Sequence, residues 1–133
     1  MLLKHVALVC SSENNSDKFY KDLLGLEKKD TKVLPKTLGR QIFNLDAEYT
    51  IVNYADKTMH FEIFLSKQGG AHQTGLAHIC LEVADLSEFL KKCRSSGTHT
   101  RQIPKENGVI TFITDFDGNL FEIKERIRSL SGK

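Results

Sequence analysis

The tripeptide Phe-Glu-Ile occurs twice in the chain, at residues 61–63 and again at 121–123, and this repeat limits the possible folds most strongly. Each copy places a carboxylate among apolar residues that favour strands, where an ionised group is costly to bury without a partner. Each copy is also preceded by a strand-like segment with one histidine, His5 in the first case and His78 in the second. The sequence therefore predicts two copies of one structural unit.

The first half of the chain predicts a strand, a helix and three further strands. Residues 2–10 alternate as a strand does, and residues 17–24 carry an apolar stripe at helical spacing. Gly25 follows that stripe, where a helix stop is expected. Three more segments have the composition or alternation of strands, at 26–34, 48–54 and 58–65.

The second half repeats this order of elements. Residues 75–83 are a strand candidate, and Asp85 followed by Glu88 is the capping-box signature of a helix start. An apolar stripe follows, and Gly97 is placed to end the helix. Strands are then predicted at 98–103, 109–114 and 119–126.

One segment of the first half, residues 36–46, has no counterpart in the second. Its apolar residues fit a short helix or an irregular strand, and we favour the short helix. The insertion accounts for the longer histidine-to-glutamate spacing of the first half, which supports an internal repeat. We therefore predict an α+β fold built from two βαβββ modules. The expected boundaries are a single domain at 1–133, modules at 1–66 and 75–126, a linker at 67–74 and a polar tail at 127–133.

Composition excludes several classes of partner. With 19 Lys and Arg against 17 Asp and Glu, the net charge is +2, and no basic run suggests a nucleic-acid or membrane partner. No apolar stretch is long enough for a signal or a membrane span, so we expect a cytoplasmic location. Three cysteines without a CxxC pair indicate free, mostly buried thiols rather than a structural zinc site. They are Cys10, Cys80 and Cys93.

Two histidines and two glutamates, delivered by two copies of one motif, are what a metal site needs. The candidate ligands are His5, Glu62, His78 and Glu122. Neutral imidazoles and carboxylates form a mixed site for Zn, Ni, Co, Mn or Fe. Taken singly, each histidine could instead bond to a backbone group, and each glutamate could lie solvated on the open face of a sheet.

The layout with a histidine on the first strand and a glutamate on the last strand of each βαβββ module resembles the vicinal oxygen chelate superfamily. This superfamily includes glyoxalase I, methylmalonyl-CoA epimerase, fosfomycin-resistance enzymes, extradiol dioxygenases and bleomycin-resistance proteins. The resemblance covers nearly the whole chain and extends to the helix end at 19–26 and the turn at 115–119. The ligand pattern His, Glu, His, Glu is that of glyoxalase I. Epimerases of the family usually carry glutamine at the position of Glu62, and fosfomycin enzymes and dioxygenases use three ligands.

The resemblance implies a cupped mixed sheet around a divalent metal ion that chelates two neighbouring oxygens of a small substrate and stabilises an enediolate. It makes Glu62 and Glu122 the candidate catalytic residues, and Glu122 the preferred proton shuttle. It also implies a homodimer, because the two halves of one site can come from different subunits. Compact bacterial glyoxalase I enzymes place an arginine near Val9 and an asparagine near Ser66, and their absence speaks against glutathione and against true lactoylglutathione lyase activity.

Two other functions stay open on these residues. One is a fosfomycin-type transferase or hydrolase, or an extradiol dioxygenase, using three of the four ligands. The other is a metal-free ligand-binding protein like those of bleomycin resistance. We expect His60 on the surface or just behind the ligands rather than lining the cavity, and Glu82 at the rim of the site. Cys80 is expected to be a buried filler, with a catalytic thiol as the alternative, and His72 and His99 are expected in exposed loops. Four basic residues could meet an anionic substrate: Lys36, Arg40, Arg101 and Lys105.

Overall fold

A computed structural model describes residues 2–67 and 76–127 of the chain. These residues form two compact units, one centred on each half of the sequence. The predicted linker at 67–74, with His72, and the predicted tail at 127–133 fall almost wholly outside the described residues, so the domain boundaries stay predictions. Within the described ranges, no helix has the length and apolar character needed to cross a membrane.

The first unit is a four-stranded mixed sheet with helical segments. Its strands are β1 (Val6–Cys10), β2 (Glu27–Leu34), β3 (Tyr49–Ala55) and β4 (His60–Leu65), and its helices are α1 (Glu13–Ser16), a π-helical continuation at Asp17–Leu23, and α2 (Lys36–Phe43). The sheet order is β1-β4-β3-β2, with β1 parallel to β4 and the other neighbours antiparallel. The short helix favoured for residues 36–46 is confirmed by α2.

The second unit has the same topology without the inserted helix. Its elements are β5 (Ile79–Val83), α3 (Leu86–Ser96), β6 (His99–Lys105), β7 (Gly108–Thr114) and β8 (Leu120–Glu125). The sheet order is β5-β8-β7-β6, with β5 parallel to β8. The carboxylate of Asp85 accepts a hydrogen bond from the backbone N–H of Glu88 at 3.0 Å, and Gly97 ends α3 with φ of 76°. The predicted α+β fold with two βαβββ modules is confirmed.

The hydrophobic core of each unit lies between its long helical segment and one face of its sheet. In the first unit, Tyr20 of the π-helix packs against Phe61 at 5.3 Å between ring centroids. In the second, Leu90 and Cys93 of α3 are buried, as is Phe121 of β8. Because side chains alternate along a strand, burial of the Phe and Ile of each Phe-Glu-Ile tripeptide turns the glutamate to the opposite face. We call that opposite face the site face of each unit.

A polar cluster links the first helical segment to the sheet. The buried Tyr54 of β3 donates a hydrogen bond from Oη to Asp17 Oδ1 at 2.7 Å and lies 2.9 Å from Ser16 Oγ. Lys28 of β2 contacts Asp17 at 3.2 Å and pairs with Glu13. Burial acts to raise the pKa of Asp17, but the hydrogen bonds from Tyr54 and Lys28 outweigh it and hold the pKa below its usual value. The buried helix–sheet junction is therefore held by charge-assisted hydrogen bonds.

The strand ends differ from the predicted ones for identifiable reasons. Residues 2–5 and 76–78 were predicted as strand, but β1 begins at Val6 and β5 at Ile79. β1 and β5 pair with β4 and β8, and the residues just before β4 and β8 form turns instead of strands. In these turns, Met59 O accepts a hydrogen bond from Asp56 N, and Asn119 N donates one to Asp115 Oδ1. Each histidine therefore lies just before its strand.

The strand predicted at 98–103 continues through Pro104 as β6. A proline is tolerated there because β6 is the edge strand of its sheet, where a missing N–H breaks no inner ladder.

Candidate metal centre

The register of the parallel strands builds the same His–Glu pair in both units. Ala7 of β1 pairs with Glu62 of β4, and Cys80 of β5 pairs with Glu122 of β8. Each candidate histidine lies two residues before the paired position, so alternation places it on the same face as the glutamate. The internal repeat therefore holds at the level of individual residue pairs.

The distances within the two pairs suit shared coordination of a metal ion. His5 Nε2 lies 3.3 Å from Glu62 Oε1, and His78 Nε2 lies 3.7 Å from Glu122 Oε1. Two ligands each about 2.1 Å from one ion lie about 3.0 Å apart at a right angle and about 3.4 Å apart at a tetrahedral angle. The first pair thus fits neighbouring positions on one ion, and the atoms of the second would have to approach by a few tenths of an ångström to do so.

The exposure of these side chains fits ligands that line a surface site. The glutamate side chains are 22% and 21% exposed in Glu62 and Glu122, and those of His5 and His78 are 42% and 39% exposed. The carboxylates are therefore mostly shielded from water rather than fully solvated on an open sheet face. A shielded carboxylate needs a positive partner, which a bound dication would supply.

The orientation of His78 is set by a backbone group. Its Nδ1 lies 2.9 Å from the carbonyl oxygen of Leu76, which can only accept, so Nδ1 carries the proton of this hydrogen bond. In the neutral ring, Nε2 then presents its lone pair towards Glu122. His78 therefore makes the bond to a backbone group that was the alternative to a ligand role. The two are compatible, because metal-binding histidines commonly donate their other ring N–H to a backbone carbonyl.

In the first unit, the site face beside Glu62 carries a buried amide and a second histidine. Asn53 of β3 lies opposite Glu62 and is 3% exposed. Its Oδ1 is 2.7 Å from His60 Nε2, so this ring nitrogen donates. The ring of His60 meets that of His5 edge-on, with centroids 5.6 Å apart. His60 thus lies beside the His5–Glu62 pair.

In the second unit, an aromatic ring and a cation flank Glu122. Phe112 of β7 lies opposite Glu122, and its ring centroid is 6.0 Å from that of His78. Lys124 Nζ is 4.0 Å from Glu122 Oε2. Cys80, expected to be a buried filler, is exposed, because its pairing with Glu122 places it on the site face rather than in the core.

The other charged candidates either form ion pairs or lie on the site face. Lys36 and Arg40 of α2 both pair with Asp46, which lowers their availability to an anionic substrate. Arg101 of β6 lies opposite Phe112, on the row of the site face that contains Glu122. Glu82 is exposed at the edge of the site face, as expected, and pairs with Arg126 at 3.3 Å.

His99 and Lys105 are also exposed, at the two ends of β6. The loop predicted for His99 was wrong, because this residue pairs with Thr114 as the first residue of the strand.

The structure brings the predicted ligands together as one pair in each unit. Within residues 2–67 and 76–127, no group of three or more His, Cys, Asp or Glu side chains is arranged to hold a metal ion. Convergence of the two pairs on one ion therefore belongs to the proposal below. Sequence reasoning missed Asn53, Phe112 and Lys124. The positions of the first two depend on the strand registers that the turns before β4 and β8 set.

Comparisons with known proteins find relatives along nearly the whole chain. Residues 2–123 match the family described as the Glyoxalase/Bleomycin resistance protein/Dioxygenase superfamily. A lactoylglutathione lyase from Haemophilus influenzae is 31% identical over 142 residues, which covers 99% of this chain and 98% of that protein.

Solved structures share the fold at lower identity. A glyoxalase family protein from Enterococcus faecalis has a TM-score of 0.72 at 23% identity, over 92% of this chain and 95% of that one. A glutamate-to-glutamine mutant of the fosfomycin resistance protein FosX from Listeria monocytogenes, complexed with Mn(II) and 1S,2S-dihydroxypropylphosphonic acid, has a TM-score of 0.69 at 16% identity, over 93% of this chain and 90% of that one. The family match along most of the sequence, together with the paired βαβββ units, shows that the chain belongs to the glyoxalase, bleomycin resistance protein and dioxygenase superfamily.

Proposed function

We propose that the protein is a metal-dependent lyase or isomerase of glyoxalase type, acting on a small substrate with two neighbouring oxygens. The observation that carries this proposal is the duplicated His–Glu pair, built at the same register in both units and spaced for shared coordination. A chance arrangement of surface residues would not repeat both the register and the near-contact distance. The lactoylglutathione lyase relative supports the same class of chemistry.

The four side chains of the two pairs are the proposed ligands of one divalent ion: His5, Glu62, His78 and Glu122. The donor set of two imidazole nitrogens and two carboxylate oxygens suits Zn, Ni, Co, Mn or Fe. The two carboxylates would balance the charge of the ion. The proposal requires the two pairs to converge on one ion, either within one chain or across the twofold axis of a homodimer.

The chain's own residues supply the proton transfer. When bound, the ion acts as a Lewis acid that polarises the two substrate oxygens and stabilises an enediolate. A carboxylate oxygen of Glu122 takes a proton from the carbon that bears one of these oxygens. It returns the proton to the carbon that bears the other, so the net reaction is an isomerisation. Glu62 is the second candidate carboxylate, and the amide of Asn53 opposite it holds His60 beside the pair.

The substrate is proposed to differ from the glutathione hemithioacetal. Val9 occupies the place where an arginine is expected for a glutathione carboxylate, and β1 pairs Val9 directly with Phe64. Phe64 in turn contacts the rings of Phe43 and Tyr49, with centroids 5.6 and 6.2 Å away. An apolar cluster at this point offers no charge to a carboxylate.

A second candidate is a fosfomycin-type transferase or hydrolase, or an extradiol dioxygenase, using three of the four ligands. It is favoured by the FosX neighbour, whose structure holds Mn(II) and a phosphonate, and by the cation Lys124 beside Glu122. A third is a metal-free binder like the bleomycin-resistance proteins. Reactivity and metal content separate the three.

The test begins with protein purified without chelator, analysed for metal and then reconstituted with each of the five ions. The loaded protein is assayed with methylglyoxal hemithioacetals of glutathione and of other small thiols, and separately with fosfomycin and with catechols. We expect metal binding and turnover of a hemithioacetal made with a thiol other than glutathione. His5→Ala and His78→Ala are expected to lose metal, while His99→Ala, at an exposed strand end, is the matched control. Trace metal with no gain on reconstitution would leave only the binder.

A further inference from the structure

The site faces of the two units differ just beyond their His–Glu pairs. The residue two positions after the glutamate is Phe64 in the first unit and Lys124 in the second. Their neighbours on the parallel strand are Val9 and Glu82, respectively. The same two positions are therefore apolar in one unit and charged in the other.

Within residues 2–67 and 76–127, the one carboxylate that Lys124 contacts is that of Glu122, a proposed ligand. Its Nζ lies 4.0 Å from Glu122 Oε2, whereas the other oxygen of Glu122 faces His78. Its cross-strand neighbour Glu82 pairs with Arg126 at 3.3 Å. The Lys124 side chain is 65% exposed, so its ammonium group is free to meet a ligand at the site face.

The charge balance changes when an ion binds. Once an ion engages the carboxylate of Glu122, that carboxylate no longer balances the ammonium of Lys124, which also lies a few ångströms from a cation that repels it. An anionic group on the substrate would relieve this repulsion by binding the ammonium while the neighbouring oxygens bind the ion. Charge-assisted hydrogen bonds of this kind are stronger than those between neutral groups.

We infer that Lys124 binds an anionic oxygen group of the substrate, a carboxylate or a phosphonate, next to the chelating oxygens. This inference rests on the proposed function, because it requires an ion held by Glu122. It narrows the substrate to hydroxy or oxo compounds that carry a negative charge at the end facing the second unit.

The experiment compares wild type with Lys124→Gln by isothermal titration calorimetry. Zn²⁺ alone is titrated first, and the zinc-loaded proteins are then titrated with lactate, hydroxymethylphosphonate and neutral lactamide, which all offer two neighbouring oxygens. Lys91→Gln is the control, since Lys91 is an exposed lysine on α3 that pairs with Glu88.

We expect Lys124→Gln to bind Zn²⁺ at least as tightly as wild type, because a repelling charge is removed. We expect its affinity for lactate or hydroxymethylphosphonate to fall at least about tenfold, with lactamide unchanged. The ligand whose affinity falls more, lactate or hydroxymethylphosphonate, shows whether Lys124 prefers a carboxylate or a phosphonate. Lys91→Gln should match wild type throughout.

Two results would overturn the inference while leaving the metal site intact. Weaker Zn²⁺ binding by Lys124→Gln would show that Lys124 positions Glu122 instead. Equal losses for lactamide and the anions, or no loss at all, would show that the ion alone binds the anion. Absence of Zn²⁺ binding by wild type would be distinguishable from both, because it would refute the proposed function and this inference together.

Discussion

The stability lost on removing the hydroxyl of Tyr54 can be estimated directly from the structure. Tyr54 is fully buried, and its Oη donates to Asp17 Oδ1 at 2.7 Å. Losing a hydrogen bond to a charged acceptor costs about 1.5–3 kcal/mol. Because the Asp17 side chain is 25% exposed, water can partly replace the donor. We therefore expect Tyr54→Phe to lower the free energy of unfolding by about 1.5–2 kcal/mol at pH 7.

Urea denaturation followed by circular dichroism measures this loss. Tyr49→Phe is the matched control, because Tyr49 lies on the same strand and its hydroxyl makes no hydrogen bond within residues 2–67 and 76–127. The control should change stability by less than about 0.5 kcal/mol. Equal effects of the two substitutions would refute the reasoning.

The effect of Tyr54→Phe should also depend on pH. The pKa of Asp17 is lower in the folded protein than in the unfolded chain, so its ionised form stabilises the fold. This contribution is complete above the unfolded pKa of about 3.9 and is lost as the pH falls through the folded value. The difference between wild type and Tyr54→Phe should therefore shrink below about pH 4. A difference that stays constant from pH 7 to pH 3 would contradict this assignment.

Three further substitutions or reactions test separate parts of the structure. Glu122→Gln should abolish most turnover while leaving the far-UV circular dichroism spectrum unchanged, and full turnover would rule out the proton-transfer role. A thiol reagent at pH 8 should modify the exposed Cys80 quickly but not the buried Cys10 and Cys93, since burial raises the pKa of Cys93 to about 11. Cys80→Ser should remove the fast reaction, and a second rapidly modified thiol would contradict the burial of the other two cysteines. Asp85→Ala should lower the free energy of unfolding by about 1 kcal/mol in urea denaturation, because α3 loses its N-cap; an unchanged stability would refute the cap.

The fold and the two pairs were predictable because they depend on local patterns. Alternation in each Phe-Glu-Ile strand sends the large apolar side chains to the core and the glutamate to the other face. Parallel pairing with a preceding strand then brings a histidine to the same face. Both steps follow from apolar periodicity and the repeated order of elements, so His5 and His78 could be chosen without coordinates.

The surroundings of the pairs were not predictable, because they depend on the register between strands. Asn53 lies opposite Glu62, and Phe112 opposite Glu122, only because the turns before β4 and β8 set these registers. Neither turn is a simple two-residue hairpin that would specify register from sequence. The exposure of Cys80 likewise depends on how much of the site face is covered, which strand patterns do not show.

The measurement that tests the central claim most directly is the number of metal ions bound per chain. Wild type, His5→Ala and His78→Ala would be loaded with Zn²⁺, dialysed and analysed by mass spectrometry of the metal together with protein concentration. If both pairs hold one ion, wild type binds one ion per chain and each variant retains almost none. Two ions per chain, with each variant losing only one of them, would contradict a shared site.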